Sequence, residues 1–132
     1  MNNIDKEINI ISNMAFNIDN VDLIKKEIGL YYRDKREELE LTQNKIANKT
    51  DININIIKEM EKGNFDLECC LYFNMLYELG SIKQNKIYKL IKEKGCSEIT
   101  NNPLVMTSMV LDIDILKVYK EIYLKINKIK LP

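Results

Sequence analysis

Helix-capping residues recur at short intervals within residues 33–63, and this spacing constrains the fold more than any other feature of the sequence. Thr42 and Asn53 are residue types that cap helix N-termini, and each precedes a short run with apolar residues at helical spacing. Asp51 lies between them and tolerates the left-handed backbone of a tight turn. The pattern predicts two short helices, one after each cap, joined by that turn.

Helical signals also dominate the rest of the chain, and no strand-like alternation of useful length occurs in it. The chain is therefore predicted to be all α. The predicted helices are 4–14, a segment from Asp19 or Asp22 to about Leu39, 43–50, 54–61, 67–79, 82–94, and one or two helices over 104–130. For the last segment, Asn102 is the predicted cap, Pro103 takes the first helical position, and any break is expected at Asp112.

Charge and hydropathy limit the classes of function. The 132 residues are 45% hydrophobic, which is ample for a packed core, and 20 basic residues balance 20 acidic ones. Affinity for nucleic acid must therefore come from local arrangement, because the net charge is zero. No signal sequence or membrane-length apolar run is present, so the protein is expected to be cytoplasmic without a membrane partner.

The cysteine and histidine contents argue against a metal site and against common forms of catalysis. Cys69, Cys70 and Cys96 form an odd set with two adjacent members, so reduced thiols are expected, the first two as core residues rather than redox sensors. The chain has no histidine, and its cysteine spacing fits no zinc pattern. We expect no metal, no cofactor and no enzymatic activity.

The segment 33–63 contains the residue types that a DNA-reading helix-turn-helix requires. Ala47 is small enough for a close crossing of the two short helices, and Ile57 is an apolar residue that can lock the pair together. Asn55 and Lys58 are polar residues on the outer face of the second helix, where they can reach base edges. Because the chain is rich in Asn and Lys, a purely solvated role stays open for both.

These residues resemble the Cro and phage-repressor type of helix-turn-helix, also called the xenobiotic-response-element (XRE) or lambda-repressor-like family. The resemblance covers about residues 28–80 and implies a DNA-binding domain at 21–80, between an N-terminal helical extension at 1–20 and additional C-terminal helices at 81–132. The family pattern is matched without a gap by Arg33, Arg36, Leu41, Thr42, Gln43, Ile46, Ala47, Ile57, Glu61 and Gly63.

The resemblance also implies roles for individual residues. Gln43 is expected to hold a backbone phosphate, Asn55 to pair with adenine, and Lys58 to reach guanine or a phosphate. Arg36 and Glu61 match the internal ion pair of the family, a task that suits the planar fork of a guanidinium. The full set of expected DNA contacts is Thr42, Gln43, Asn53, Ile54, Asn55, Ile56, Lys58, Lys62 and Asn64.

The expected reading face departs from the family in two ways. Ile54 and Ile56 stand where polar side chains are usual, and isoleucine offers only apolar contact, for example to a thymine methyl group. Seven basic and seven acidic residues cancel over 33–64, so counterion release from DNA is expected to be limited. Base readout is therefore expected to be weak or biased toward A·T pairs.

A wide apolar face on the last helix predicts a further contact surface. Family members usually bind two half-sites as two-fold dimers, so the resemblance implies a dimer formed through the 81–132 region. The alternative is that this face packs on residues 4–14 of the same chain. The expected dimer contacts are Leu116, Tyr119, Ile122, Tyr123 and Ile126.

Two functions follow from the sequence. The first is a sequence-specific transcriptional regulator of the repressor type, which binds double-stranded DNA as a homodimer. The alternative is an antitoxin-like or inhibitory module that binds another protein and uses the helix-turn-helix as a scaffold or for autoregulation.

Overall fold

The computed structural model describes residues 18–71, 89, 93 and 102–127. Within these residues the chain is helical without any strand, which confirms the predicted all-α class. The helix predicted at 4–14 lies outside them, and only residues 89 and 93 are described of the one predicted at 82–94. The helices are α1 (Ile18–Glu38), α2 (Gln43–Thr50), α3 (Ile54–Glu61), α4 (described over 67–71), α5 (Pro103–Leu111) and α6 (Ile115–Asn127).

The caps that set the lengths of α2 and α3 are confirmed. The Thr42 hydroxyl accepts a hydrogen bond from the Lys45 backbone N–H at 3.1 Å, and the Asn53 amide oxygen accepts one from the Asn55 N–H at 2.8 Å. Asp51 adopts the left-handed conformation (φ 56°, ψ 36°), as its residue type predicted. Each short helix thus has its ends fixed by a local hydrogen bond, which is why α2 and α3 fit into so few residues.

The C-terminal segment also follows its sequence signals. Asn102 caps α5 by accepting a hydrogen bond from the Val105 N–H at 3.1 Å, and Pro103 takes the first helical position. The left-handed Asp112 (φ 56°) ends α5, so the segment forms two helices rather than one. One further left-handed residue, Glu40 (φ 58°), ends α1 and was not foreseen, since glutamate has no special tolerance of this conformation.

The hydrophobic core is built around α1. Ile24, Ile28 and Tyr32 recur at helical spacing on one face of α1 and are fully buried. α1 packs against α3, α5 and α6, while α2 packs against α3 and α5. The described helices therefore share one hydrophobic core, which buries the apolar faces of α5 and α6 together with those of α2 and α3.

Buried polar groups join α5 to its neighbours. The Tyr32 hydroxyl of α1 is hydrogen-bonded to the Ser108 hydroxyl of α5, and burial raises the pKa of Tyr32. The Cys70 thiol of α4 donates to the Asn102 side-chain oxygen at 3.2 Å, so one amide oxygen both caps α5 and binds α4. Because a buried polar group without a partner is costly, these contacts favour one position of α5 over others.

The two adjacent cysteines have different states. Cys70 is free and fully buried, and its burial raises the pKa of the thiol to about 12. Cys69 takes part in a disulfide whose partner lies outside the described residues. The expectation of reduced thiols therefore holds for Cys70 and is wrong for Cys69. Disulfides are uncommon in the reducing cytosol, so the cytoplasmic location stays a prediction.

Gly29 marks the closest approach of α1 and α3. A Cβ atom at this position would lie 2.5 Å from the Glu61 carbonyl oxygen and 2.9 Å from that of Met60, both in the backbone of α3. We expect Gly29→Ala to push α3 away from α1 and to lower the free energy of unfolding by about 1–3 kcal/mol. Urea denaturation measures this loss, and a variant as stable as the wild type would contradict the close crossing.

The apolar face of α6 is used mainly inside the chain. Leu116 and Tyr119, two of the predicted dimer contacts, are 6% and 0% exposed, so they face the core and not the surface. The remaining predicted contacts, Ile122, Tyr123 and Ile126, are half-buried against the same core. α6 packs on α1, a partner that neither alternative from the sequence named. Burial within the chain removes Leu116 and Tyr119 from any dimer surface.

Over the described ranges 18–71 and 102–127, each helix lacks the length or the apolar character needed to cross a lipid bilayer.

Candidate nucleic-acid interface

The α2–α3 pair has the close packing that its residues predicted. Ala47 on α2 is 9% exposed and Ile57 on α3 is fully buried, and the two helices are in contact across the Asp51 turn. Leu41 and Ile54 pack on the same core from the two helix starts. With its inner side fixed in this way, α3 presents only its outer side to solvent.

The outer side of α3 is short and chemically mixed. Asn55, Lys58 and Glu59 are exposed, and Ile56 between them is 48% exposed. Ile54, at the start of the helix, is half-buried instead. The exposed set thus offers an amide, an ammonium group, a carboxylate and one apolar side chain within a single helical surface.

A buried ion pair fixes α3 to the end of α1. The Arg36 guanidinium donates to Glu61 through Nε (2.7 Å to Oε2) and Nη2 (3.0 Å to Oε1), so the pair is bidentate. Its Nη1 donates to the Leu41 carbonyl at 2.8 Å, which ties the loop after α1 to the same group. The hydrogen bonds that Arg36 donates to Glu61 raise the pKa of Arg36, so the guanidinium stays charged.

Gln43 is hydrogen-bonded to the Arg36–Glu61 ion pair and is also partly accessible to solvent. Its side-chain amide donates to Glu61 Oε1 at 3.0 Å, and Gln43 is half-buried. An amide nitrogen carries two N–H groups, so one of them stays available to an anion at the surface. The structure therefore gives Gln43 a fixed orientation that the sequence did not predict, beside its predicted role at a phosphate.

Lys62 and Asn64, two of the predicted DNA contacts, both interact with the carboxylate of Glu59. The Asn64 amide donates to Glu59 Oε2, and Lys62 Nζ lies 3.6 Å from Glu59 Oε1. The hydrogen bond from Asn64, and then the charge of Lys62, lower the pKa of Glu59, so this carboxylate stays ionised at lower pH. Glu59 competes with any phosphate for both side chains.

A cationic cleft continues from the outer side of α3 to α1. Arg33, Lys58 and Lys62 line an open cavity of about 290 Å³, whose other walls are Gln43 and Glu61, the ion-pair partner of Arg36. An adjoining cavity of about 330 Å³ shares Arg33 and Lys62 and adds two residues of α1, Lys26 and Leu30. Arg33 has one competing partner, Asp34, at 3.1 Å.

The cleft brings together residues that the sequence analysis had treated separately. Lys58 and Lys62 were predicted as contacts, whereas Arg33 was assigned only to the family pattern and Lys26 was not selected at all. Their approach depends on how α1 crosses α3 at Gly29, which sequence spacing alone does not give. The scarcity of arginine in a lysine-rich chain was the one sequence signal for Arg33.

Within the described part of the chain, no group of three or more Cys, Asp and Glu side chains is arranged to hold a metal ion. The sequence matches no protein-family model, and neither a curated protein nor a solved structure is significantly similar to it.

Proposed function

We propose that the protein is a sequence-specific DNA-binding regulator of the repressor type that acts as a dimer. In this proposal α2 and α3 form a lambda-repressor-like helix-turn-helix, and α3 enters the major groove of double-stranded DNA. The observation that carries the proposal is the cationic cleft of Arg33, Lys58 and Lys62, which lies directly beside the exposed polar residues of α3.

The positions of the residues suggest separate roles in reading bases and in binding phosphates. Asn55 can present its amide to adenine, with Ile56 beside it for a thymine methyl group, because both are exposed on one surface of α3. The cleft holds backbone phosphates through point charges, which position the protein without reading sequence. The network of Arg36, Glu61 and Gln43 keeps α3 in place, so little ordering is required on binding.

The local charge balance sets the expected strength of binding. Asp34 and Glu59 sit next to cationic cleft residues, so the positive field over α3 is narrow. Long-range attraction to DNA is then weak, and discrimination depends on close contacts. We expect low non-specific affinity and a shallow dependence on salt.

Fluorescence anisotropy with duplex DNA over a salt series tests the proposal on the full chain. Lys58→Ala is expected to lower affinity about tenfold or more at low salt and to reduce the salt slope by about 1. Lys117→Ala, which removes an exposed lysine of α6, is the matched control and should leave affinity unchanged. The proposal fails if no duplex binds at low salt, or if the two variants behave alike.

Substitution of Glu59 is expected to raise the affinity for DNA. Glu59→Gln removes the carboxylate that competes for Lys62 and Asn64, so DNA affinity should rise about two- to fivefold. Glu121→Gln, an exposed change on α6 with the same effect on net charge, controls for general electrostatics. Equal gains from both variants would show that Glu59 has no local role.

One observation favours the alternative, a module that binds another protein. Ile56 is 48% exposed beside the polar residues on the outer side of α3, and apolar residues that protrude from a polar surface are typical anchors of protein interfaces. Under this alternative, Ile56→Asp abolishes binding to a protein partner, while duplex DNA gives no anisotropy change with the wild type at low salt.

A further inference from the structure

An open groove between α1 and α6 shares no lining residue with the cationic cleft. Its walls are Leu23 and Glu27 on α1 and Ile122, Lys125 and Ile126 on α6, and its volume is about 200 Å³. Leu23 is 47% exposed, so an apolar side chain projects beside a partly apolar depression. This groove contains two of the three half-buried dimer contacts predicted on α6, Ile122 and Ile126.

The groove is complementary to itself in charge. Its α1 wall carries the acidic Glu27 and its α6 wall the basic Lys125, with apolar residues between them. A two-fold axis through the groove would bring the α1 wall of one copy opposite the α6 wall of the other, so that Glu27 and Lys125 could pair at two equivalent places. The same operation would bring the exposed Leu23 of each copy toward the apolar α6 wall of the other.

The extent of the two helices suits such an interface. α1 and α6 contain 21 and 13 residues and pack on each other, so each copy offers a face two helices wide. Two such faces make a four-helix arrangement of the kind that forms stable bundles, and a standard interface needs about 800 Å² from each partner.

We infer that the groove between α1 and α6 is an interaction surface for a second copy of this chain, and that the dimer forms through Leu23, Glu27, Ile122, Lys125 and Ile126. The inference rests on the proposed function for its purpose, because a pair of reading helices serves a protein that binds two half-sites. The proposed set of dimer contacts omits the buried Leu116 and Tyr119 and consists of residues that line the groove.

Light scattering and sedimentation of the full chain at micromolar concentrations test the inference. The wild type is expected to have twice the monomer mass, and Leu23→Asp is expected to raise the dimer dissociation constant about a hundredfold, because it buries two carboxylates. Met109→Asp is the matched control: Met109 is 61% exposed on α5, outside the groove, so its dissociation constant should equal that of the wild type.

A charge exchange separates a direct contact from loss of folding. Glu27→Lys and Lys125→Glu should each raise the dissociation constant about tenfold, and the double variant should return it close to the wild-type value. A monomeric wild type, or a double variant no better than the single ones, overturns the inference. DNA binding, the other part of the proposed function, has a separate readout. A monomer that still shifts duplex DNA retains the DNA-binding part, and a dimer that binds no DNA at low salt does not.

Discussion

Arg36→Ala is expected to lower the free energy of unfolding by about 3 kcal/mol, measured by urea denaturation. The substitution strands the Glu61 carboxylate, which is 6% exposed, without the guanidinium that now binds both of its oxygens. It also removes the hydrogen bond from Arg36 to the Leu41 carbonyl. Most of this loss in unfolding free energy comes from leaving the buried Glu61 charge without a cation, and not from the net stabilisation that the intact pair provides.

Two further variants make this expectation specific. Arg33→Ala removes the other arginine of the chain, whose partner Asp34 is exposed, and should change the free energy of unfolding by less than about 0.5 kcal/mol. Combining Arg36→Met with Glu61→Met removes both charges and should recover at least about half of the loss. Equal effects of Arg33→Ala and Arg36→Ala would contradict a buried, α3-positioning ion pair.

Adjacent isoleucines on α3 give the second large prediction. Ile57 is fully buried and Ile56 is 48% exposed, so the same chemical change tests a buried and an exposed position of one helix. Ile57→Ala should cost about 3 kcal/mol of unfolding free energy through the cavity that it leaves. Ile56→Ala should cost less than about 0.5 kcal/mol.

The two isoleucine variants also differ in their expected effect on DNA binding. Ile56→Ala keeps the fold and should reduce affinity for duplexes that contain thymine at the contacted position, without changing the salt slope. Uracil lacks the methyl group of thymine, so replacing that thymine by uracil should hardly change the DNA affinity of the Ile56→Ala variant. If Ile56→Ala is the more destabilising of the two variants, the orientation of α3 described above is incorrect.

Short-range signals carried the fold predictions that succeeded. Thr42, Asp51, Asn53 and Asn102 act on backbone groups a few residues away, so their roles depend little on the rest of the molecule. The Arg36–Glu61 pair is a contact between distant residues, and the family pattern, not helical periodicity, predicted it. Local capping chemistry and the spacing pattern of one family therefore predicted the helix caps and this ion pair.

The features that sequence did not reveal depend on how helices pack. The apolar face of α6 was correctly recognised, but a wide apolar face does not specify its partner. In the structure α6 packs on α1, and Leu116 and Tyr119 are buried. The cleft that joins Lys26 and Arg33 to Lys62 exists only because Gly29 lets α1 approach α3. Such contacts join residues far apart in sequence, where periodicity carries no information.

Selection of duplexes from a random pool, followed by affinity measurement on the selected site, tests whether α3 reads DNA sequence. We expect one enriched site, to which Asn55→Ala binds about tenfold or more weakly and with no base preference at one position. Lys62→Ala should weaken binding to selected and scrambled duplexes alike, because it removes a phosphate contact. Enrichment of no sequence, or an Asn55→Ala variant with unchanged base preference, would contradict the claim that α3 reads DNA.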